Sequence, residues 1–129
     1  MNQLAAVAWV ALGGAIGSVA RFVLSGWFLQ RVGPAFPWGT FTINVTGAFV
    51  LGAVLQLAQT RIGLNPYVRV FVGTGILGGY TTFSTFAFET LTLSREAFSL
   101  QSVWYALGSV VAGVVAAYLG VVLTRALFS

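Results

Sequence analysis

The sequence predicts an all-α membrane protein with four transmembrane helices, the third of them broken near mid-membrane. Three observations carry that prediction. Hydrophobic residues fill 58% of the 129 positions and charged residues 6%, where a soluble domain carries roughly a quarter charged residues. Apolar runs long enough to cross a bilayer recur four times between short polar or Pro/Gly connections. A Gly-Gly-Tyr-Thr-Thr stretch, 78–82, interrupts the third run near its centre. Four crossings of about 20 residues take about 80, which leaves no room within these residues for a soluble domain, so 1–129 reads as one transmembrane domain.

The first span runs from about Leu4 to Phe28. It has no basic leader and continues past Arg21, too long for a cleavable signal peptide. Arg31, Gly33, Pro34, Phe36, Pro37 and Trp38 form a connection with aromatic interface anchors. The second span follows over about 39–59, and Arg61, Gly63, Asn65 and Pro66 make the next turn. The third covers about 67–93, with a break near 78–82, and Arg95 and Glu96 end it. The fourth runs over about 102–123, with Arg125 closing it at the interface. Gly13 and Gly17 form a small-xxx-small pair, and Gly108, Gly113 and Gly120 dot the fourth span, as close helix packing in lipid requires.

Charge and composition exclude several functions. The net charge of +4 comes from six arginines against Glu89 and Glu96, and those arginines lie singly near the ends of apolar runs, so a nucleic-acid partner is not expected. Cysteine, histidine and aspartate are absent. Soft metal ligands are therefore missing, and no nucleophile, base and orienting group can be assembled, so an enzyme is not expected.

With four spans, one side of the membrane holds Arg61, Arg69 and Arg125 and the other Arg21, Arg31 and Arg95. Three against three leaves the positive-inside rule nothing to choose between, which motivates the expectation of dual topology.

The third span is the informative one. Glycine costs about 1 kcal/mol against alanine inside a helix, and a break at membrane depth exposes backbone groups that lipid cannot satisfy. Carbonyls near Gly78 could coordinate a small cation, and amides after Thr81 or Thr82 present a positive dipole. A glycine kink healed by Ser/Thr side chains is the plainer reading. At 1.5 Å per residue, Asn44 lies roughly 9 Å inside Trp38, and Ser109 and Phe86 roughly 10 Å inside Ser102 and Leu93. All three depths start from one side, so Asn44, Tyr105, Ser109, Phe83, Phe86, Arg21 and Glu89 share one half of the membrane. Thr40 with Asn44, and Tyr105 with Ser109, are four apart and share helix faces. An amide, hydroxyls and phenyl edges are all donors of partial positive charge and suit a small anion. Arg21 adds positive potential at the mouth, or snorkels to the interface paired with Glu89. The bland alternatives are packing for the Phe83 and Phe86 pair and interhelical glue for Asn44.

These residues together resemble the small fluoride channels called Fluc or CrcB. The resemblance spans the whole chain and rests on Gly78-Gly79 followed by Thr81-Thr82-Phe83-Ser84-Thr85-Phe86, on Trp38-Gly39-Thr40 with Asn44, and on Gly13, Gly14, Gly17 and Arg21. It implies a multi-pass protein of the cell inner (plasma) membrane that exports fluoride as an antiparallel, dual-topology homodimer with two pores. By motif, Asn44, Phe83 and Phe86 line each fluoride pathway, Thr40, Tyr105 and Ser109 continue it, Ser84 and Thr85 are further contacts, and Arg21 stands in the vestibule. The carbonyls of Gly78 and Thr81 from each subunit would hold a central, structural sodium ion. Two positions depart from the family pattern: Tyr80 stands where an aliphatic residue is usual, and Gly113 offers no hydroxyl one turn beyond Ser109. The alternative is a small dual-topology multidrug or cation exporter, but the first span lacks the embedded carboxylate that proton exchange needs. A subunit that only packs other membrane proteins would need neither Asn44 nor the break.

Overall fold

The computed structural model describes residues 1–60, 62–96 and 100–128; Arg61 lies outside the described residues. Those residues form helices and no strand.

α1 (Gln3–Val32) starts where the Asn2 side chain accepts the Leu4 N–H at 3.0 Å, an N-cap that supplies one of the orphan first-turn donors with a partner. It ends at Gly33, whose φ of 76° places it in the left-handed region that glycine alone enters at no cost. At 1.5 Å per residue, the 30 residues extend about 45 Å, more than the ~30 Å hydrocarbon core needs. Arg31 at its end lies over the Trp27 ring, 5.6 Å from the centroid. α2 (Trp38–Leu57) follows a four-residue connection and a Pro37 cap. The last helix, labelled α5 below, is Leu100–Phe128. α1, α2 and α5 are each long and apolar enough to cross a membrane.

The third run divides in two. α3 (66–80) begins with Pro66 behind an Asn65 cap that accepts the Tyr67 N–H at 2.9 Å. Its middle, Val70–Leu77, is wound as π-helix, the wider form common at functional sites. The chain then turns extended at Thr81 (φ −79°, ψ 156°), and α4 (Phe83–Glu96) resumes. Gly78 and Gly79 are still helical. The interruption falls at Thr81 and Thr82, where hydroxyls take over the backbone's bonds. Thr81 donates both its N–H (3.0 Å) and its Oγ1–H (2.8 Å) to the Leu77 carbonyl. Thr82 Oγ1 accepts the Thr85 N–H at 3.3 Å, capping α4.

Small residues bring the helices together at backbone distance. A Cβ on Gly13 would meet the Phe71 carbonyl and lie 2.9 Å from Gly75 Cα, and one on Gly17 would meet the Ile76 carbonyl. This is the predicted small-xxx-small pair, and its partner is α3. Gly52 and Gly120 bring α2 and α5 equally close, against the carbonyls of Ala117 and Phe49. Gly108 and Gly113, by contrast, face open space. The core is thin: Ile43 and Tyr105 are its only fully buried large side chains among the described residues. Large apolar side chains instead cover the outside, among them Leu4, Val19 and Phe22 on α1 and Val110, Val114 and Tyr118 on α5. An apolar exterior over a glycine-packed interior is the pattern of a multi-pass membrane protein.

Candidate functional site

The break between α3 and α4 is the centre of the site, and its backbone is held from two neighbouring helices. From α2, the Asn44 Nδ2–H donates to the Thr82 carbonyl (3.0 Å) and the Thr82 N–H donates to Asn44 Oδ1 (2.8 Å). One carboxamide thus satisfies both backbone groups of the residue at the break. From α1, the Arg21 Nε–H donates to the Gly79 carbonyl at 3.0 Å. One turn along α2, Gly47 makes room for the Thr81 methyl and the Tyr80 ring. The Tyr80 hydroxyl lies 3.0 Å from Thr46 Oγ1, which itself donates to the Thr42 carbonyl at 2.7 Å. Tyr80, unusual for the resembled family, therefore finds a polar partner on α2.

Beyond the break the aromatic residues form a chain. The Phe83 and Phe86 ring centroids are 5.8 Å apart, and Phe86 lies 5.3 Å from the Tyr105 ring. Phe36 meets Tyr105 edge-on at 5.4 Å. Phe83 is 79% exposed and faces outward. Ser84 is exposed and Thr85 half-buried; Thr82 Oγ1–H donates to Thr85 Oγ1 at 3.1 Å.

Thr40 and Tyr105, both buried, converge on Glu89. Thr40 Oγ1–H donates to Glu89 Oε1 at 2.8 Å, and the Tyr105 hydroxyl donates to Oε2 at 2.6 Å. Their hydroxyl hydrogens are committed to the carboxylate. Glu89 was expected near an interface and paired with Arg21 in one reading. Among the described residues the two form no ion pair: Glu89 is held by hydroxyls and Arg21 by a carbonyl. Ser109, one turn beyond Tyr105, keeps its hydroxyl buried with no hydrogen-bond partner among the described residues.

Two cavities border this arrangement. One of about 290 Å³ is lined by Ser18, Arg21, Phe22, Ser25, Thr40, Thr82 and Thr85: one guanidinium, five hydroxyl side chains and no carboxylate. A larger one, about 710 Å³, shares Ser25, Thr40 and Thr85 with it and opens past Glu89 toward Phe36 and Trp38. Sequence reasoning missed Thr82 as the clamped residue and Glu89 as the centre of a hydroxyl pair. The spacing of Thr82 and Thr85, a helix N-cap pattern, was the available signal for the first.

Comparison with known proteins gives the family. A protein from Rhizobium meliloti (strain 1021) named fluoride-specific ion channel FluC is 43% identical over 118 residues, covering 92% of this chain and 94% of its own. Proteins of the same name from Chloroflexus aurantiacus (strain ATCC 29366 / DSM 635 / J-10-fl) and Magnetococcus marinus (strain ATCC BAA-1437 / JCM 17883 / MC-1) are 44% and 45% identical, each covering at least 92% of this chain and 97% of their own. These relatives are ion channels, not enzymes. Residues 8–121 match the family described as "CrcB-like protein, Camphor Resistance (CrcB)", and the chain belongs to that family.

Proposed function

We propose that this protein is a fluoride-selective channel that lets fluoride leave the cell. The observation that carries the reading is the 290 Å³ cavity beside the break, whose lining offers an anion the Arg21 guanidinium and the hydroxyls of Ser18, Ser25 and Thr85 and contains no carboxylate. The names of the relatives narrow a small anion to fluoride.

In this reading α3 and α4 together make the third of four crossings. Neither does so alone, because 15 and 14 residues extend only about 21–23 Å each. The balanced arginines favour insertion in both orientations, and an antiparallel homodimer with two pores follows from the resemblance. Fluoride would pass Asn44, whose carboxamide keeps a second N–H after binding Thr82, then the edges of Phe83, Phe86 and Tyr105 and the free hydroxyl of Ser109. The outward-facing Phe83 would meet the second copy. Thr40 acts through Glu89, and Ser84 and Thr85 line the approach.

The sodium ion implied by the family fits the donors present. Among the described residues, no hydrogen bond ends on the carbonyls of Gly78 or Thr81, whereas those of Leu77 and Gly79 are occupied by Thr81 and Arg21. Gly78 is exposed, with open space where a Cβ would stand. Hard carbonyl oxygens suit sodium, and two from each of two copies would hold it. Bound there, the ion would offset the negative end of α3.

Reconstitution into liposomes, with fluoride and chloride efflux recorded by selective electrodes, tests the function. Fluoride efflux with chloride retained is expected; well-folded protein that releases no fluoride refutes it.

A further inference from the structure

Arg21 lies 11 residues before the end of α1, about 16 Å along the helix, within a helix long and apolar enough to cross a membrane. An arginine within such a span is costly unless it is paired. What it finds is the end of α3. The last carbonyls of a helix have no partner within it and carry its negative pole, and the Arg21 Nε–H, 3.0 Å away, takes the one on Gly79. The approach is built in on both sides. A Cβ on Gly79 would lie 3.1 Å from Gly14 Cα and 3.1 Å from Ser18 N, so α3 rests directly on the α1 face that carries Gly14, Ser18 and Arg21, spaced four and three apart.

We propose that Arg21 is a positioning residue for the break: its Nε–H caps α3 and fixes the turn into Thr81 and Thr82, while the rest of the guanidinium supplies the charge lining the cavity. The cap complements the clamp from Asn44, which holds Thr82 from the opposite neighbour. Simple snorkelling leaves the Gly79 carbonyl bare, and a charge acting only at the mouth has no use for Nε. The cap stands on geometry alone; its consequence for conduction rests on the fluoride-channel reading.

Three variants separate cap from charge. Gln places its side-chain N–H at the same number of bonds from Cα as Arg Nε, so R21Q keeps a donor for Gly79 and loses the charge. R21K keeps the charge and loses that donor, and R21M loses both. Amide hydrogen exchange on the intact protein in nanodiscs, read over 78–84 with α5 as internal reference, should be near parental in R21Q. It should be about tenfold faster or more in R21K and R21M, the scale of one charge-assisted hydrogen bond. Fluoride efflux should split accordingly. R21Q raises the fluoride concentration for half-maximal rate and weakens its salt dependence, while R21K lowers the maximal rate at unchanged salt dependence. Parental exchange in R21M, or protection kept in R21K and lost in R21Q, overturns the cap. If R21M does not fold, the R21Q and R21K pair decides alone. Parent protein that passes no fluoride yet shows the exchange pattern would remove the channel reading and leave the cap.

Discussion

Replacing Asn44 by alanine removes two hydrogen bonds at once and leaves the Thr82 N–H and carbonyl without partners at a part-buried site. A buried backbone group left unsatisfied costs about 1–3 kcal/mol, so N44A should destabilise the protein by about 2–4 kcal/mol once partial access to water is allowed for. N44D sharpens the argument. The carboxylate still accepts from the Thr82 N–H but sets an oxygen against the Thr82 carbonyl, so at neutral pH it should be at least as damaging as alanine despite its near-identical shape. Equilibrium unfolding in mixed micelles, followed by the fluorescence of the four tryptophans, measures both. Stability is the deciding readout, because flux would fall whether Asn44 holds the break or contacts the anion. An N44A protein within about 0.5 kcal/mol of the parent, the range of an ordinary surface substitution, would refute the clamp and leave Asn44 as a pore contact only.

Ser109 should behave oppositely. Its buried hydroxyl has no partner among the described residues, so S109A should reduce fluoride efflux with stability unchanged or slightly raised, and a loss above about 1 kcal/mol would reveal a protein partner and end its candidacy. F83I and F86I should each lower fluoride efflux by roughly 2- to 10-fold, the equivalent of an aromatic edge contact worth about 0.5–1.5 kcal/mol; unchanged efflux in both would return these rings to packing. G17A should sharply reduce folded yield on size-exclusion chromatography, because the new Cβ would meet the Ile76 carbonyl. G108A, with nothing within 4 Å, should be tolerated, and equal behaviour of the two would refute the α1–α3 contact.

The existence and order of the long helices were legible in the sequence because apolar runs and the Pro/Gly connections between them are local chemistry, but their ends were not: α1 continues to Val32 rather than stopping near Phe28, and α5 spans Leu100–Phe128 rather than about 102–123. Gly13 and Gly17 were legible as a contact, since their spacing is itself the signal. The break was legible only as a region. Adjacent glycines suggested where the helix would fail, yet Gly79 is glycine because α1 passes within backbone distance, and the interruption comes at the threonines that follow. Which role a glycine plays depends on its neighbour in space, and Gly108 and Gly113, indistinguishable from Gly120 in pattern, face nothing. The pairing of Arg21 with Glu89 failed for the same reason. Opposite charges at one depth are natural partners until the fold offers each a nearer one, here a carbonyl for Arg21 and two hydroxyls for Glu89.

A helix broken at membrane depth persists only if its freed backbone groups are accounted for one by one. The Leu77 carbonyl takes two bonds from Thr81, Arg21 takes Gly79, Asn44 takes both groups of Thr82, and Thr82 in turn caps Thr85. The donors come from α1, from α2 and from the break itself. Among the described residues the carbonyls of Gly78, Tyr80 and Thr81 take none of these bonds, and Gly78 is exposed. An uncompensated carbonyl facing lipid is the costliest arrangement on that surface, whereas one facing a cation shared with a second copy is satisfied. In the proposed dimer the Gly78 and Thr81 carbonyls are groups that a second copy would complete, and the bonds on Leu77, Gly79 and Thr82 fix the backbone around them within one copy.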